Sequence, residues 1–333
     1  MTGKTVHPAP STTAPGPNSR ARRTARPAQA RSSQTASALG ITRRRRKAFP
    51  WMVWFLLFPA MLLFLYFKFI PMFAGISMSF HEVRPFLGDI WVGLDNYLTV
   101  LADPKFGSAI WHTLVLGIGQ STGAVIGGLA LAMILEGASR SLAIVRTLAF
   151  LPVVTATAVI GEVWRIIYYP APDGLINSIL GVVGIGPLRF LEDSDTALAS
   201  VMAVGIWQGA PYNMVIILAG LAAVDRSLYE AGAIDGVNTW QRLRYIVMPA
   251  LRPAMTIVIV LAAIRSLRVF TDVWVLTGGG PSGATDVWMT RVYSLGFERN
   301  DIGVASAASV LLLVATLVLT LGSVLVMRRR KDS

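Results

Sequence analysis

Polar side chains interrupt two long apolar stretches of the chain, residues 197–223 and 253–276. The polar and aromatic residues of interest are Trp207, Gln208, Tyr212 and Asn213 in the first stretch, and Arg265, Arg268 and Asp272 in the second. Polar groups are costly in lipid, so they usually face a cavity or a neighbouring helix. Aromatic faces with amide and guanidinium donors suit a hydroxyl-rich solute such as a sugar. We therefore predict that these residues line a solute path, the alternative being an ion pair between Arg268 and Asp272, four residues apart.

The residue types that most enzymes use are not arranged for catalysis in this sequence. The 3 histidines are scattered, cysteine is absent, and no apolar stretch contains a pair of acidic residues. The segment Gly278-Gly279-Gly280-Pro281 lacks the Lys and the Ser or Thr of a phosphate-binding loop. We predict no catalytic residue, no metal site and no enzyme activity in this chain, so that any nucleotide chemistry belongs to a partner.

The composition points to a protein embedded in lipid. Of the 333 residues 54% are hydrophobic and only 14% are charged, with a mean hydropathy of +0.58. Soluble domains have about 25% charged residues. Lipid-facing positions exclude charge, which accounts for the deficit. The sequence therefore predicts an integral membrane protein.

Six apolar stretches are long enough to cross a bilayer as helices, which takes about 20 residues each. They lie at residues 51–73, 110–135, 143–168, 197–223, 253–276 and 303–327. The loops at 136–142 and 224–252 and the C-terminus carry arginines, whereas the other three loops are more acidic. Basic segments stay in the cytoplasm. We predict an all-α bundle of six transmembrane helices with both termini cytoplasmic.

A row of glycines marks one face of the second stretch. Gly119, Gly123 and Gly127 recur every four residues. Such a row lets two helix backbones approach closely in lipid. The spacing predicts ordinary close packing against a neighbouring helix.

The basic residues are concentrated at the N-terminus. Residues 1–47 contain 11 of the 30 Lys and Arg residues and no acidic residue, which leaves 19 basic against 18 acidic residues elsewhere. The tail is rich in Pro, Ala, Ser and Thr and has few aliphatic residues, so we predict that it is disordered. We expect it to hold the N-terminus at the cytoplasmic lipid surface. A nucleic-acid-binding tail or a transit peptide is the alternative. The membrane domain that follows the tail is predicted at residues 48–330.

The loop at 224–252 has the sequence of a helix–turn–helix elbow. Asp225 and Ser227 can begin a first helix, and Gly236 suits a turn. Asn238 can then cap a second helix, with Gln241 three residues later completing a capping box. The elbow is consistent with a helix on the membrane surface or with a rigid element that docks onto another protein.

The second half of this loop is predicted to be amphipathic. Trp240, Leu243 and Val247 share one face at helical spacing. Pro249 is predicted to stop this helix, and Pro253 fits the first turn of the next span.

The string EAGAIDGVNTWQRLRYIVMPALRP, residues 230–253, resembles the EAA loop of sugar-type ABC importer permeases. The matching positions are Glu230, Ala231, Asp235, Gly236, Ile246, Pro249 and Pro253, and the departures are Gly232, Val237, Leu243 and Met248, which keep small or apolar character. VGLDNY at 92–97, GLIN at 174–177 and VLTGGGP at 275–281 also resemble the family. The resemblance extends over about residues 50–330.

This resemblance implies a type I ABC importer permease of the maltose-permease-like branch in a bacterial plasma membrane. It implies that ATP and magnesium are bound by a partner ATPase dimer and that this chain has no cofactor. It also implies a second permease subunit, an extracytoplasmic solute-binding protein and membrane lipid as partners, and no nucleic acid. The implied ATPase-coupling residues are Glu230, Ala231, Gly232, Asp235, Gly236 and Pro249.

The expected solute is a mono- or oligosaccharide. Because fixed charges lie in the predicted path, a phosphorylated polyol of the glycerol-phosphate type is an alternative. A secondary transporter would need acidic residues within the spans, for which Asp272 is the obvious candidate. A membrane scaffold whose 224–252 loop binds a signalling partner is the remaining alternative.

Overall fold

The structure, a computed structural model, describes residues 50–84 and 86–329, so the predicted tail at 1–47 lies outside the described residues. The chain divides into two compact units after Leu62. The described part of the first unit belongs to helix α1 (Pro50–Phe64). In the second unit the chain continues through a π-helical segment, Leu65–Phe69, into α2 (Ile70–Met78). Together these segments give an apolar helical stretch, Trp51–Met78, of 28 residues.

Helices account for most of the second unit. In chain order they are α3 (Asp95–Ala102), α4 (Pro104–Ile134), α5 (Arg140–Val154), α6 (Thr157–Ile167), α7 (Leu175–Val182), α8 (Ser194–Leu221), α9 (Arg226–Ile234), α10 (Thr239–Gln241), α11 (Met248–Ala250), α12 (Arg252–Ser266), α13 (Thr271–Leu276), α14 (Trp288–Tyr293) and α15 (Ile302–Arg329). Two π-helical segments, Arg242–Val247 and Ser294–Glu298, follow α10 and α14. A short antiparallel hairpin of β1 (His81–Glu82) and β2 (Ile90–Trp91) pairs His81 with Trp91.

The predicted all-α membrane architecture is confirmed. Helices α4, α8 and α15 coincide with the second, fourth and sixth predicted stretches to within a few residues. With Trp51–Met78 they give, among the described residues, four helices that are long and apolar enough to cross a membrane, or up to six if each of two bent helix pairs forms one span.

The third predicted stretch, 143–168, is not one straight helix. Helices α5 and α6 meet at 99°. Pro152 removes an amide donor near the end of α5, and the Thr155 hydroxyl then donates to the carbonyl of Leu151 at 2.8 Å. Proline in a helix interior and side-chain bonds to the backbone are common causes of such breaks.

The fifth predicted stretch, 253–276, is also interrupted. Helix α12 ends at Ser266, and α13 begins only at Thr271. The 15 residues of α12 extend about 22 Å, which is less than the hydrocarbon thickness. On its other side, α12 makes an angle of 76° with the helical run Thr239–Ala250. Pro253 lies in the first turn of α12, as predicted.

Helices α4 and α8 pack against each other along their lengths, and the glycine row explains how. A Cβ atom at Gly119 or Gly123 would overlap Met202 or Ile206, and one at Gly127 would lie 3.1 Å from Ala210 Cβ. The close approach predicted from the spacing of these glycines is confirmed.

A partly buried ion pair fixes the start of α4. Asp103 accepts a hydrogen bond from the Lys105 amide at 2.9 Å, and Arg291 Nη2 donates to its Oδ2 at 2.7 Å. The Arg291 side chain is only 6% exposed. Partial burial acts to raise the pKa of Asp103, but the hydrogen bonds from Arg291 and the Lys105 amide outweigh it and the pKa is lowered. The carboxylate is therefore held ionised between α4 and α14.

Candidate functional site

The first helix of the 224–252 loop begins as predicted. Asp225 is the N-cap of α9, and its carboxylate accepts a hydrogen bond from the Ser227 amide at 2.9 Å. This bond lowers the pKa of Asp225. Asp is a favoured N-cap because its side chain satisfies an amide that has no partner within the helix.

The turn after α9 depends on Gly236. Its φ is +68°, a left-handed conformation that glycine adopts without steric cost. The Val237 amide donates to the carbonyl of Gly232 at 3.0 Å, the backbone bond of a Schellman C-cap. No atom lies within 4 Å of the position that a Cβ on Gly236 would occupy. The backbone conformation, and not crowding, is what favours glycine at this position.

The second helical run also begins as predicted. The Gln241 amide donates to Asn238 Oδ1 at 2.8 Å, and the Asn238 amide donates to Gln241 Oε1 at 2.9 Å. These reciprocal bonds confirm the capping box, with Asn in place of the usual Ser or Thr.

Two details of this second run differ from the prediction. The π-helical segment Arg242–Val247 changes the angular spacing of the side chains, so Val247 is buried while Trp240 is 66% exposed. The three apolar residues predicted on one face therefore do not share it. Pro249 does not stop the helix either, because it lies in the first turn of α11, where its missing amide is tolerated.

The predicted coupling residues are divided between different surfaces of the elbow. Ala231, Gly232 and Asp235 border a groove of about 440 Å³ between α9 and the π-helical segment. A Cβ on Gly232 would lie 2.7 Å from Ile246 Cδ1, so glycine permits this close packing. Glu230 is exposed and borders a different cavity, next to the α4–α5 turn. Gly236 and Pro249 are exposed and border neither.

A central polar cavity of about 530 Å³ contains most of the predicted solute-path residues. Its lining includes Gln208, Tyr212, Asn213, Arg265, Arg268 and Asp272. These residues come from α8, from α12, from the break after α12 and from α13. Trp207 is not part of this lining; it packs edge-to-face against Trp164, with ring centroids 5.4 Å apart.

The charged residues of this cavity do not form the ion pair between Arg268 and Asp272 that was the alternative to a solute path. The Arg265 guanidinium lies over the Tyr212 ring, 3.8 Å from its centroid, in a cation–π contact. Arg268 and Asp272 do not form an ion pair within the described residues. The break between α12 and α13 separates them, so they do not occupy successive turns of one helix. Both residues line the cavity without an ion pair between them.

Sequence reasoning missed five polar residues of this cavity. Gln120 and Ser121 come from α4, Thr157 from α6, Ser266 from the end of α12 and Thr271 from α13. Gln120 Nε2 donates to the carbonyl of Val201 at 3.3 Å, and the Ser121 hydroxyl donates to that of Ala262 at 3.2 Å. An amide within an apolar stretch was a usable signal for Gln120, whereas small hydroxyl residues are too common in such stretches to stand out.

A second polar cavity, of about 580 Å³, borders the Gly-rich loop after α13. Lys105, His112, Trp274, Asp286 and Glu298 contribute to its lining. His112 Nδ1 lies 3.0 Å from the carbonyl of Asp286. Burial raises the pKa of Asp286, although a hydrogen bond from Thr290 opposes the shift. Sequence reasoning did not identify this cavity, because its residues are far apart in the chain.

The fold and the two sites define a class of protein: an α-helical membrane protein with a polar internal cavity and an exposed helical elbow, suited to moving a solute across a bilayer. Residues 128–331 match the family described as the binding-protein-dependent transport system inner membrane component, and the chain belongs to this family. It is a multi-pass inner-membrane permease subunit of a binding-protein-dependent ABC importer, and as such it is not itself an enzyme.

Similar proteins include several permeases. The chain is 31% identical over 278 residues to the trehalose/maltose transport system permease protein MalF of Thermococcus litoralis, covering 83% of this chain and 94% of the relative. It is 31% identical over 250 residues to the inner membrane ABC transporter permease protein YcjO of Escherichia coli, covering 73% and 83%. A bacterial ABC transporter involved in the import of the acidic polysaccharide alginate has a similar structure, with a TM-score of 0.73, 26% identity, and coverage of 84% of this chain and 96% of that one.

Proposed function

We propose that this permease subunit imports a mono- or oligosaccharide. The observation that carries the proposal is the polar cavity of about 530 Å³, where two aromatic rings, three amides, two guanidinium groups and a carboxylate converge. Saccharides are bound by such sets, because their hydroxyl groups both donate and accept hydrogen bonds while their apolar faces contact rings. The similarity to a trehalose/maltose permease over 94% of its length supports this solute class.

The 224–252 elbow is the proposed coupling element. Its caps and turn hold α9 and the second run at a fixed angle, and Glu230 and Asp235 remain exposed on it. In this proposal the elbow fits a groove on a separate ATPase subunit. Glu230 contacts that subunit, Gly236 sets the turn, and Ala231 and Gly232 form the close-packed surface.

The working complex is proposed to contain an ATPase dimer, a second permease and an extracytoplasmic solute-binding protein. ATP and magnesium are bound by the ATPase. One related solved structure is titled as a bacterial alginate ABC transporter in complex with an alginate pentasaccharide-bound periplasmic protein, with a TM-score of 0.74 at 25% identity. ATP binding draws the ATPase subunits together, the elbows transmit the movement, and the cavity opens toward the binding protein.

A pull-down tests the coupling proposal. The tagged chain is purified in mild detergent from its native membranes, and co-purifying proteins are identified by mass spectrometry. An ATPase subunit and a second permease are expected with the wild type. Glu230→Lys is expected to leave insertion intact while it removes the ATPase, because the exposed carboxylate is replaced by the opposite charge. Recovery of the chain alone, under conditions that keep known importers intact, would favour a secondary transporter or a scaffold.

The two guanidinium groups of the cavity favour one alternative solute, a phosphorylated polyol. Arg binds phosphate well because its planar donors match the phosphate oxygens. Uptake of trehalose and of glycerol 3-phosphate into proteoliposomes containing the full complex distinguishes the two. Sugar import predicts that Arg268→Gln weakens trehalose uptake and that glycerol 3-phosphate does not compete. Competition by glycerol 3-phosphate that depends on Arg268 would favour the polyol.

A further inference from the structure

One carboxylate joins both helical parts of the 224–252 elbow to a different part of the molecule. Glu136 lies in the turn between α4 and α5. Its Oε1 accepts a hydrogen bond from the Tyr229 hydroxyl of α9 at 3.3 Å, and its Oε2 lies 3.5 Å from Arg242 Nη2 in the π-helical segment. The Arg242 guanidinium also lies over the Tyr229 ring, 4.4 Å from its centroid. The three side chains form a closed set, which we name the Glu136 bridge.

The turn that carries Glu136 is itself held firmly. Arg146 of α5 donates from Nε to the carbonyl of Leu135 at 2.8 Å, and its Nη2 donates to the carbonyls of Leu135 and Gly137. A cation at the end of a helix is favourable because the last carbonyls have no partners within the helix. Leu135 is buried in the apolar core. Because these contacts hold the turn against the end of α4, a displacement of Glu136 is expected to move the end of α4 with it.

Helix α4 connects this turn to the solute cavity. It packs along α8, and its residues Gln120, Ser121 and Ala124 belong to the cavity lining. The covalent chain joins the elbow only to α8 on one side and to α12 on the other. Polar contacts through Glu136 add a connection to a third wall of the cavity.

The exposure of the bridge indicates positioning more than stability. The Arg242 and Glu136 side chains are 47% and 32% exposed. Ion pairs this exposed contribute little to the free energy of folding. The pair can still fix the position of the elbow, because Glu136 also contacts the Tyr229 hydroxyl and Arg242 also contacts the Tyr229 ring.

We propose that Glu136 is a positioning residue that holds the elbow at a fixed angle to α4, so that movement of the ATPase reaches the cavity wall through α4. This inference rests on the proposed function of the elbow. Loss of the bridge leaves the chain folded and the ATPase bound, but it weakens the effect of ATP on the cavity.

Charge exchange tests the proposal in the full complex in nanodiscs. The variants are Glu136→Arg, Arg242→Glu and the two combined, each with Ser121→Cys as a reporter on α4. The natural chain has no cysteine, so the reporter in this chain is unique. The measurement is the change in the rate of maleimide labelling when a non-hydrolysable ATP analogue is added. Co-purification of the ATPase is measured in parallel. Exchange of the exposed pair Glu162 and Arg165, 3.2 Å apart on α6, is the matched control.

Each single variant is expected to reduce the ATP-dependent change in labelling at least about fivefold, the lower end of typical coupling between sites. The double variant should restore it to within about twofold, because the opposite charges face each other again. The control exchange should leave it unchanged. Single variants that label like the wild type, a double variant that fails to recover, or loss of the ATPase from the single variants alone would each overturn the proposal. Absence of the ATPase from the wild-type complex would instead contradict the proposed function.

Discussion

At the scale of single residues, Gly236 and Gly232 are both glycines of the elbow but are required for different reasons. Gly236 has a φ of +68° with open space around it, whereas Gly232 faces Ile246 at close range. The first position constrains the backbone and the second constrains volume. Two substitutions at Gly236 separate these effects: one adds a residue that is strained in the left-handed conformation, and the other adds a residue that adopts this conformation more readily.

Gly236→Ala is expected to destabilise the turn by about 1 kcal/mol, because alanine is strained at this φ. ATPase co-purification should fall about fivefold as a result. Gly236→Asn is the matched variant, since asparagine adopts the left-handed region more readily, and it should retain more ATPase. Equal losses with Ala and Asn would show that side-chain volume, and not backbone conformation, is what the position excludes.

Asp103→Asn is expected to destabilise the fold by about 2 kcal/mol. A variant that breaks a fully buried ion pair costs about 3–5 kcal/mol, and the Asp103 side chain is 26% exposed. Its lowered pKa means that the stabilisation is complete at neutral pH and declines as the pH falls below about 4. Thermal unfolding in detergent should show a difference between wild type and variant at pH 7 that shrinks at pH 3.5. A difference independent of pH would mean that the charge of Asp103 is not responsible.

At the scale of helices and loops, the sequence predicted the features that depend on contacts between neighbouring residues, such as helix caps. The caps at Asp225 and Asn238 each need two to four consecutive residues, and both were predicted correctly. The breaks in the third and fifth stretches were not predicted, because hydropathy measures whether a segment suits lipid and not whether its helix is straight. The π-helical segment Arg242–Val247, in which Val247 is buried, was not predicted either, because no local pattern indicates it.

Residues at both breaks line the cavity, namely Thr157 after the first and Arg268 within the second. Cysteine accessibility tests whether the cavity is filled with water. Gln208→Cys on α8 and Thr157→Cys at the start of α6 should react with a hydrophilic maleimide, since both positions border the cavity. Val215→Cys on α8 is the control, because Val215 is 45% exposed but does not line the cavity. Labelling of the two cavity positions at least about tenfold faster than the control is expected, since thiolates form poorly in lipid. Equal rates would contradict a water-filled path.

At the scale of the whole molecule, the sequence predicted the helical class, and six of its seven solute-path residues line the cavity, but it could not place them in three dimensions. Gln208 and Asp272 are far apart in the chain, and only the packing of α8 with α12 and α13 brings them together. The Glu136 bridge was missed for the same reason, since Glu136 and Arg242 are 106 residues apart. The distribution of Arg and Lys predicts the orientation of the bundle, which the shape of the chain alone does not determine.

The predicted orientation places the elbow in the cytoplasm and the acidic loops outside, and the absence of cysteine makes this directly measurable. Ala233→Cys on the elbow and Glu192→Cys in the loop before α8 are both exposed. In intact cells a membrane-impermeant maleimide should label Glu192→Cys and not Ala233→Cys. In inside-out vesicles the labelling should be reversed. The physical reason is that the elbow carries Arg226, Arg242, Arg244 and Arg252, and basic loops of this length resist translocation. The opposite pattern would place the elbow out of reach of a cytoplasmic ATPase and would invert the proposed direction of transport.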